Sequence, residues 1–133
     1  MDVKKAIIYV DGASRGNPGP AAIGATVNDE QGRLIISISQ RIGVTTNNQA
    51  EYRAIIVALQ KAIELGTRHV EVNSDSELVV KQINGGYRVK KAALKPLYQR
   101  VKQLTSQLDG FIINHIPRCQ NAEADNLANM AFK

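Results

Sequence analysis

Cysteine occurs once in this 133-residue chain, at Cys119, histidine twice, at His69 and His115, and tryptophan not at all. A lone thiol forms no internal disulfide, which excludes a disulfide scaffold and fits a reducing, cytoplasmic setting. The longest early apolar run, Ala6-Ile7-Ile8-Tyr9-Val10, is too short for a signal-peptide core or a membrane span. No internal repeat or low-complexity tract interrupts the chain. Acids are missing from one long stretch. Between Leu78 and Leu108 stand seven bases (Lys81, Arg88, Lys90, Lys91, Lys95, Arg100, Lys102) and no Asp or Glu, leaving ten bases against twelve acids elsewhere. The whole net charge of +5 therefore resides in that segment. Such asymmetry points to a polyanionic partner, nucleic acid first, although a solvated helix face explains the charge alone equally well. The rest is ordinary globular composition, 44% apolar and 22% charged, and predicts one self-contained domain over residues 1–133.

Patterning predicts the element order β-β-β-α-β-α-α-β-α. Lys4 to Val10 is rich in β-branched residues and runs into Asp11-Gly12, which reads as a strand meeting a turn. Gly16-Asn17-Pro18-Gly19-Pro20 is a loop. Strands at about Ala22–Asn28 and Arg33–Gln40 form a hairpin around Asp29-Glu30-Gln31-Gly32, with Leu34, Ile36 and Ile38 alternating against Ile35, Ser37 and Ser39. From Thr46 the period becomes helical, capped by Thr46, Asn47 or Asn48 and ending at Gly66. A short strand at His69–Val72 and a short helix at Asp75–Ile83 follow. Leu94, Leu97, Val101, Leu104 and Leu108 then repeat at helical spacing, with Pro96 in the first turn. A strand at Phe111–His115 and a helix at Asn121–Met130, with Asn121 as its cap, complete the chain. Three strands with short links make an antiparallel meander, and strands separated by helices run parallel to the first. Ligands of such sheets gather at the carboxyl ends of the parallel strands.

Four acids fall near that edge. Asp11 ends the first strand, Asp75 follows the fourth, Glu51 lies in the first turns of the long helix, and Asp125 lies one turn into the last. Each alone has a bland reading as a turn, cap or dipole-favoured residue. Together they would repel, and at least one would hold its proton, unless divalent cations sit between them. An all-oxygen donor set without a His or Cys cluster suits Mg²⁺ or Mn²⁺ rather than zinc. Two such ions suit phosphoryl transfer.

The flanks of these acids resemble one family, ribonuclease H of type 1 (HI). Its first motif is similar to Tyr9-Val10-Asp11-Gly12-Ala13-Ser14-Arg15-Gly16-Asn17-Pro18-Gly19-Pro20-Ala21-Ala22-Ile23-Gly24, and its second to Thr46-Asn47-Asn48-Gln49-Ala50-Glu51-Tyr52-Arg53-Ala54. Asn73-Ser74-Asp75-Ser76 resembles the third. His115-Ile116-Pro117-Arg118 with Asn121-Ala122-Glu123-Ala124-Asp125-Asn126-Leu127-Ala128 resembles the fourth. The resemblance implies an α/β ribonuclease H-like fold, a five-stranded mixed sheet of order 3-2-1-4-5 with helices on both faces. It implies endonucleolytic hydrolysis of the RNA strand of RNA–DNA hybrids to 5′-phosphate and 3′-hydroxyl ends. Asp11, Glu51, Asp75 and Asp125 would hold two Mg²⁺ ions, Mn²⁺ substituting, with Asp11 shared. By motif position Ser14, Asn17, Asn47, Asn48 and Gln49 are candidates for reading the minor groove and its 2′-hydroxyls, and Thr46 for a phosphate. Some compact relatives accept an RNA second strand, so double-stranded RNA is a second candidate substrate.

Two departures from the best-known bacterial pattern stand out. The long Trp-bearing basic protrusion is missing, and only Ile83–Ala93 separates the neighbouring helices. Lys90 and Lys91, with Lys81, Arg88 and Tyr87, are the candidates for a reduced basic surface, Tyr87 otherwise being a packing residue. The loop before Asp125 is short. His115 stands ten residues before Asp125, as the family's assisting histidine would, whereas a shifted gap brings Arg118 to the ions instead. His69 reads as structural and Cys119 as a bystander. The rival readings are a resolvase or integrase core, a polymerase-associated domain, and a non-catalytic hybrid- or RNA-binding module. A monomer is expected.

Overall fold

The computed structural model describes residues 3–133. Its elements are β1 (Lys5–Ser14), β2 (Gly19–Asn28), β3 (Leu34–Thr45), α1 (Asn47–Glu64), β4 (His69–Ser74), α2 (Glu77–Ile83), α3 (Lys95–Thr105), β5 (Gly110–His115), a short 3₁₀ turn (Arg118–Gln120) and α4 (Ala122–Met130). The five strands form one sheet in the order β3-β2-β1-β4-β5, antiparallel across β1, β2 and β3 and parallel across β1, β4 and β5. Element order, strand order and strand directions match the sequence reading.

The two sheet faces are unequal. Along β1 and β2 the register pairs Ile8 with Val27, Val10 with Ala25 and Gly12 with Ile23 on one face. That face meets α1, whose Ala54, Ile55, Ala58, Leu59 and Ala62 are fully buried, and α3 closes over α1 with Leu94, Val101 and Leu104. Each fully buried Ile or Leu here contributes about 1.5–3 kcal/mol. The opposite face pairs Tyr9 with Thr26, Asp11 with Gly24 and Ala13 with Ala22, and among the described helices only the nine-residue α4 packs on it.

Several boundaries differ from those expected. β1 does not turn at Asp11-Gly12; it stays paired with β2 through Ser14 opposite Ala21. Cross-strand pairing overrides a dipeptide that alone signals a turn. β3 likewise extends to Thr45, and Leu34, expected inward, is exposed beside the bulge where the register shifts between Val27 and Asn28. α2 starts at Glu77 with Ser76 as its cap, which leaves Asp75 outside the helix. Thr46 caps α1 with a capping box, its hydroxyl accepting from the Gln49 amide and the Gln49 side chain accepting from the Thr46 amide.

Two glycines set how closely helices approach the sheet. A Cβ on Gly12 would overlap the backbone of Ala50 and Glu51, and one on Gly24 the backbone of Ala124 and Ala128. Without side chains there, the start of α1 and the middle of α4 rest directly on β1 and β2. Gly24→Ala is expected to push α4 off the sheet and to lower stability by about 1–3 kcal/mol, the usual cost of overpacking. Urea unfolding checks this, and an unchanged midpoint would mean that α4 has room to shift.

Candidate active site

β1 and β4 run side by side and parallel, and their last paired positions are Val10 and Ser74. The next residue in each strand direction is an acid, Asp11 and Asp75, so the two stand abreast at the carboxyl edge of the sheet. Neighbouring strands are about 4.8 Å apart. Glu51 reaches the same place from α1, because Gly12 lets that helix touch β1 and the Gly12 amide donates to Glu51 Oε1 at 3.0 Å. Oxygen atoms of Asp11, Glu51 and Asp75 all lie within 4.8 Å of one another, with Asp11 and Glu51 buried. Asp125, in the first turn of α4, is half-buried and faces Asp11 from the other sheet face without joining that tight group.

Charges so close resist ionisation. Burial pushes the Asp11 carboxyl up to about 7; a hydrogen bond with Glu51 opposes the rise, and the charges of Asp75 and Asp125 add to it. Glu51 is driven well above the usual carboxylate range, first by burial and then by Asp11, although the Gly12 amide favours its charged form. A cluster of crowded oxygen ligands at a buried edge fits hard divalent cations, which would supply the missing countercharge.

Asn121 plays a part that its sequence position conceals. It occupies the cap position of α4 but makes no side-chain cap bond. Its buried Nδ2 instead donates to the Val10 carbonyl at 2.8 Å and to Asp75 Oδ2 at 3.3 Å, so one amide fixes α4, β1 and an acid together. Ser74 is a second unforeseen neighbour, its hydroxyl accepting from the Ser76 amide at 3.1 Å and lying 3.5 Å from Glu51 Oε2. Asn and Ser at helix starts ordinarily read as caps, so only their burial exposes these roles.

The candidates for nucleic-acid contact gather on the adjoining loops. The Ser14 amide donates to Asn47 Oδ1 at 2.9 Å, and the Asn47 amide donates to Asn17 Oδ1 at 3.0 Å. The Ser14 hydroxyl donates to the Thr45 carbonyl at 2.8 Å and also to that of Gly16. These bonds tie the β1–β2 loop to the start of α1. Thr46 and Gln49 are engaged in the capping box, Gln49 Oε1 also accepting from the Thr45 hydroxyl, and Asn48 is half-buried beside them.

Arg118 Nη2 lies 3.8 Å from Asp125 Oδ1. His115 is exposed at the end of β5, opposite Ser74 and so beside the strand end that carries Asp75; Glu77 nearby is held low chiefly by Lys81. His69, at the other end of the sheet, packs against Gly110. Lys90 and Lys91 are exposed on the α2–α3 connection, apart from the carboxylates. Tyr87, expected to pack, is 46% exposed, with its ring under the Lys81 ammonium at 4.9 Å. Cys119 is exposed.

Residues 9–131 match the protein family described as reverse transcriptase-like. Over 124 residues the chain is 43% identical to the ribonuclease HI of Halobacterium salinarum, covering 93% of this chain and 62% of that relative. The crystal structure of RNase H1 from the same halophilic archaeon superposes with a TM-score of 0.94 at 41% identity, over 96% of this chain and 97% of that one. LC11-RNase H1, solved in complex with an RNA/DNA hybrid, superposes with a TM-score of 0.90 at 44% identity, over 95% of each chain. The chain thus spans less than two thirds of the archaeal relative's full length. No described helix is long and apolar enough to cross a membrane.

The raised carboxyls make a stability prediction for the metal-free protein. A folded Asp11 with a pKa near 7 binds a proton that the unfolded chain, at 3.8, releases, so stability falls as pH rises from about 4 to 7. Asp11→Asn removes this penalty and is expected to raise metal-free stability at neutral pH by about 2 kcal/mol or more. Thermal unfolding in EDTA at neutral and mildly acidic pH checks it; equal melting of both proteins at neutral pH would contradict the burial argument.

Proposed function

The chain belongs to the ribonuclease H family, in its type 1 branch, and from that premise we propose that it hydrolyses the RNA strand of RNA–DNA hybrids to 5′-phosphate and 3′-hydroxyl products. The observation that carries this reading is the group of Asp11, Glu51 and Asp75 within 4.8 Å, just past the last paired positions of β1 and β4. In this reading Asp11, Glu51, Asp75 and Asp125 hold two Mg²⁺ ions, with Mn²⁺ as substitute. When bound, the ions supply a nucleophile from water at neutral pH and countercharge for the departing 3′-oxygen. The protein's part is positioning. The Gly12 amide and Ser74 orient Glu51, and Asn121 orients Asp75. Asn17 and Asn47 accept backbone amides through their oxygens, which leaves their NH₂ groups free to donate to 2′-hydroxyls. That group is what separates the RNA strand from the DNA strand. Ser14, Thr46, Asn48 and Gln49 shape the same surface, and Lys90 and Lys91 add a phosphate-facing charge.

Two groups compete for the assisting role beside the acids. Arg118 Nη2 lies 3.8 Å from Asp125 Oδ1, whereas His115 stands on β5 opposite Ser74, the residue before Asp75. We assign the role of steadying phosphate charge to Arg118, whose fork of donors suits it. A monomer in the cytoplasm is the setting that a small domain with one exposed thiol supports.

The first test is cleavage of an end-labelled RNA–DNA hybrid with and without Mg²⁺ or Mn²⁺, beside single-stranded RNA, double-stranded RNA and double-stranded DNA. Metal-dependent cutting of the hybrid's RNA strand is expected, with Asp11→Asn reducing it by more than about a hundredfold. Binding without cutting by the unaltered protein would favour a non-catalytic hybrid- or RNA-binding module. Arg118→Ala is expected to approach the roughly hundredfold loss of a missing transition-state donor, with His115→Ala close to the parent. The reverse order in kcat would give the role to His115.

A further inference from the structure

Just beyond β1 lies a cation whose surroundings serve neither the sheet nor the carboxylates. The Arg15 guanidinium sits 4.1 Å from the centroid of the Phe132 ring, which follows α4. Its backbone is fixed, since the Arg15 amide donates to the Pro20 carbonyl at 2.7 Å and Gly19 has no side chain to strike the Arg15 carbonyl. The stack on Phe132 puts the Arg15 guanidinium on the α4 side of the sheet, the face of Ala13 and Asp11, and four residues at 3.3 Å each keep its backbone within roughly 13 Å of that of Asp11. It neighbours Ser14 and Asn17, which are bonded to the start of α1.

The ring is itself held. Arg41 of β3 donates from Nε to the Ala131 carbonyl at 2.6 Å and from Nη2 to the Phe132 carbonyl at 2.9 Å, and the Ser39 hydroxyl donates to the Leu127 carbonyl at 2.6 Å. These donors satisfy carbonyls that the end of a helix leaves unpaired. Arg41 is thereby consumed by structure, but Arg15 is not. None of the ion pairs among the described residues includes it. Stacking on the ring uses the face of a guanidinium and leaves its edge, with the N–H donors, turned outward.

We propose that Arg15 contacts a phosphate of the bound nucleic acid and that Phe132 is a positioning residue that holds Arg15 ready for it. This rests on the reading that the chain binds RNA–DNA hybrids. The stack removes rotamer freedom from a long side chain before binding, so less is lost when the phosphate arrives. An arginine with an open donor edge and no carboxylate partner matches phosphate geometry.

The test is binding of a fluorescent RNA–DNA hybrid, read by anisotropy in EDTA so that no strand is cut, across a salt titration. Arg15→Ala is expected to weaken binding by up to about tenfold at low salt and to reduce the slope of log K against log salt by about 0.7–0.9, one phosphate contact. Arg15→Lys keeps that slope. Phe132→Ala weakens binding by a smaller factor with the slope retained, adds nothing in the Arg15→Ala background, and is rescued by Phe132→Tyr. An unchanged slope in Arg15→Ala, whatever its melting temperature, would overturn the proposal and leave the stack as a tether. Additive losses in the double variant would overturn the positioning role of Phe132. Failure of the unaltered protein to bind the hybrid at all would instead overturn the functional reading, and the proposal with it.

Discussion

Crowding of negative charge is the condition around which the rest of the architecture is arranged. Asp11, Glu51 and Asp75 are held nearer to one another than solvated carboxylates would settle, in a partly dry edge where their repulsion is strengthened. Such an arrangement needs a rigid frame, and the frame comes from elements with large buried faces. β1 and β4 are central strands, and α1 lies on the main core. Neutral groups then fix the oxygens: the Gly12 amide on Glu51 and the Asn121 amide on Asp75. The site is thus strained by its own charge and kept in place by apolar burial behind it.

Close backbone contact is the second requirement, and it is met by absence of side chains. Gly12 and Gly24 occupy consecutive positions of the β1–β2 ladder, Gly12 opposite Ile23 and Gly24 opposite Asp11, and they open opposite faces. One admits the helix bearing Glu51 and the other the helix bearing Asp125. Acids from both sides of a single sheet can therefore approach the end of one strand. The same economy appears in the 3₁₀ turn at Arg118–Gln120, which brings Arg118 back toward Asp125 over only a few residues.

Much of this was legible in the sequence, for reasons that can be named. The change of period at Thr46 and the repeat from Leu94 to Leu108 marked helices because burial on one face imposes that spacing. The strand directions followed from short links and helical crossovers, and the strand order from the resemblance of the motifs. The convergence of acids was inferable from expected strand ends and helix starts, although Asp11 stands inside β1, where only the pairing with β4 ends. What escaped was long-range. Asp11-Gly12 carries a local turn signal that pairing with Gly24 and Ile23 overrides. Asn121 looks like a cap, and nothing nearby in sequence reveals that its amide reaches Val10 and Asp75. Tyr87 carries the composition of a packing residue but lies open beside Lys81. The Arg15–Phe132 stack joins residues from opposite ends of the chain.

The inequality of the two sheet faces has a consequence for motion. α1 and α3 share an extensive apolar layer, whereas α4 buries little besides Ala124 and Ala128 and is fastened by Asn121 at its start and by Ser39 and Arg41 at its end. Local opening draws on the elements with the least buried apolar area. On that principle α4 is the helix whose amides are expected to exchange ahead of those of α1. Asp125 stands on that lightly buried helix, whereas Asp11 and Glu51 stand on β1 and α1, which share the main core. The acids of one edge are therefore carried by elements of unequal burial, with Asn121 the tie between them.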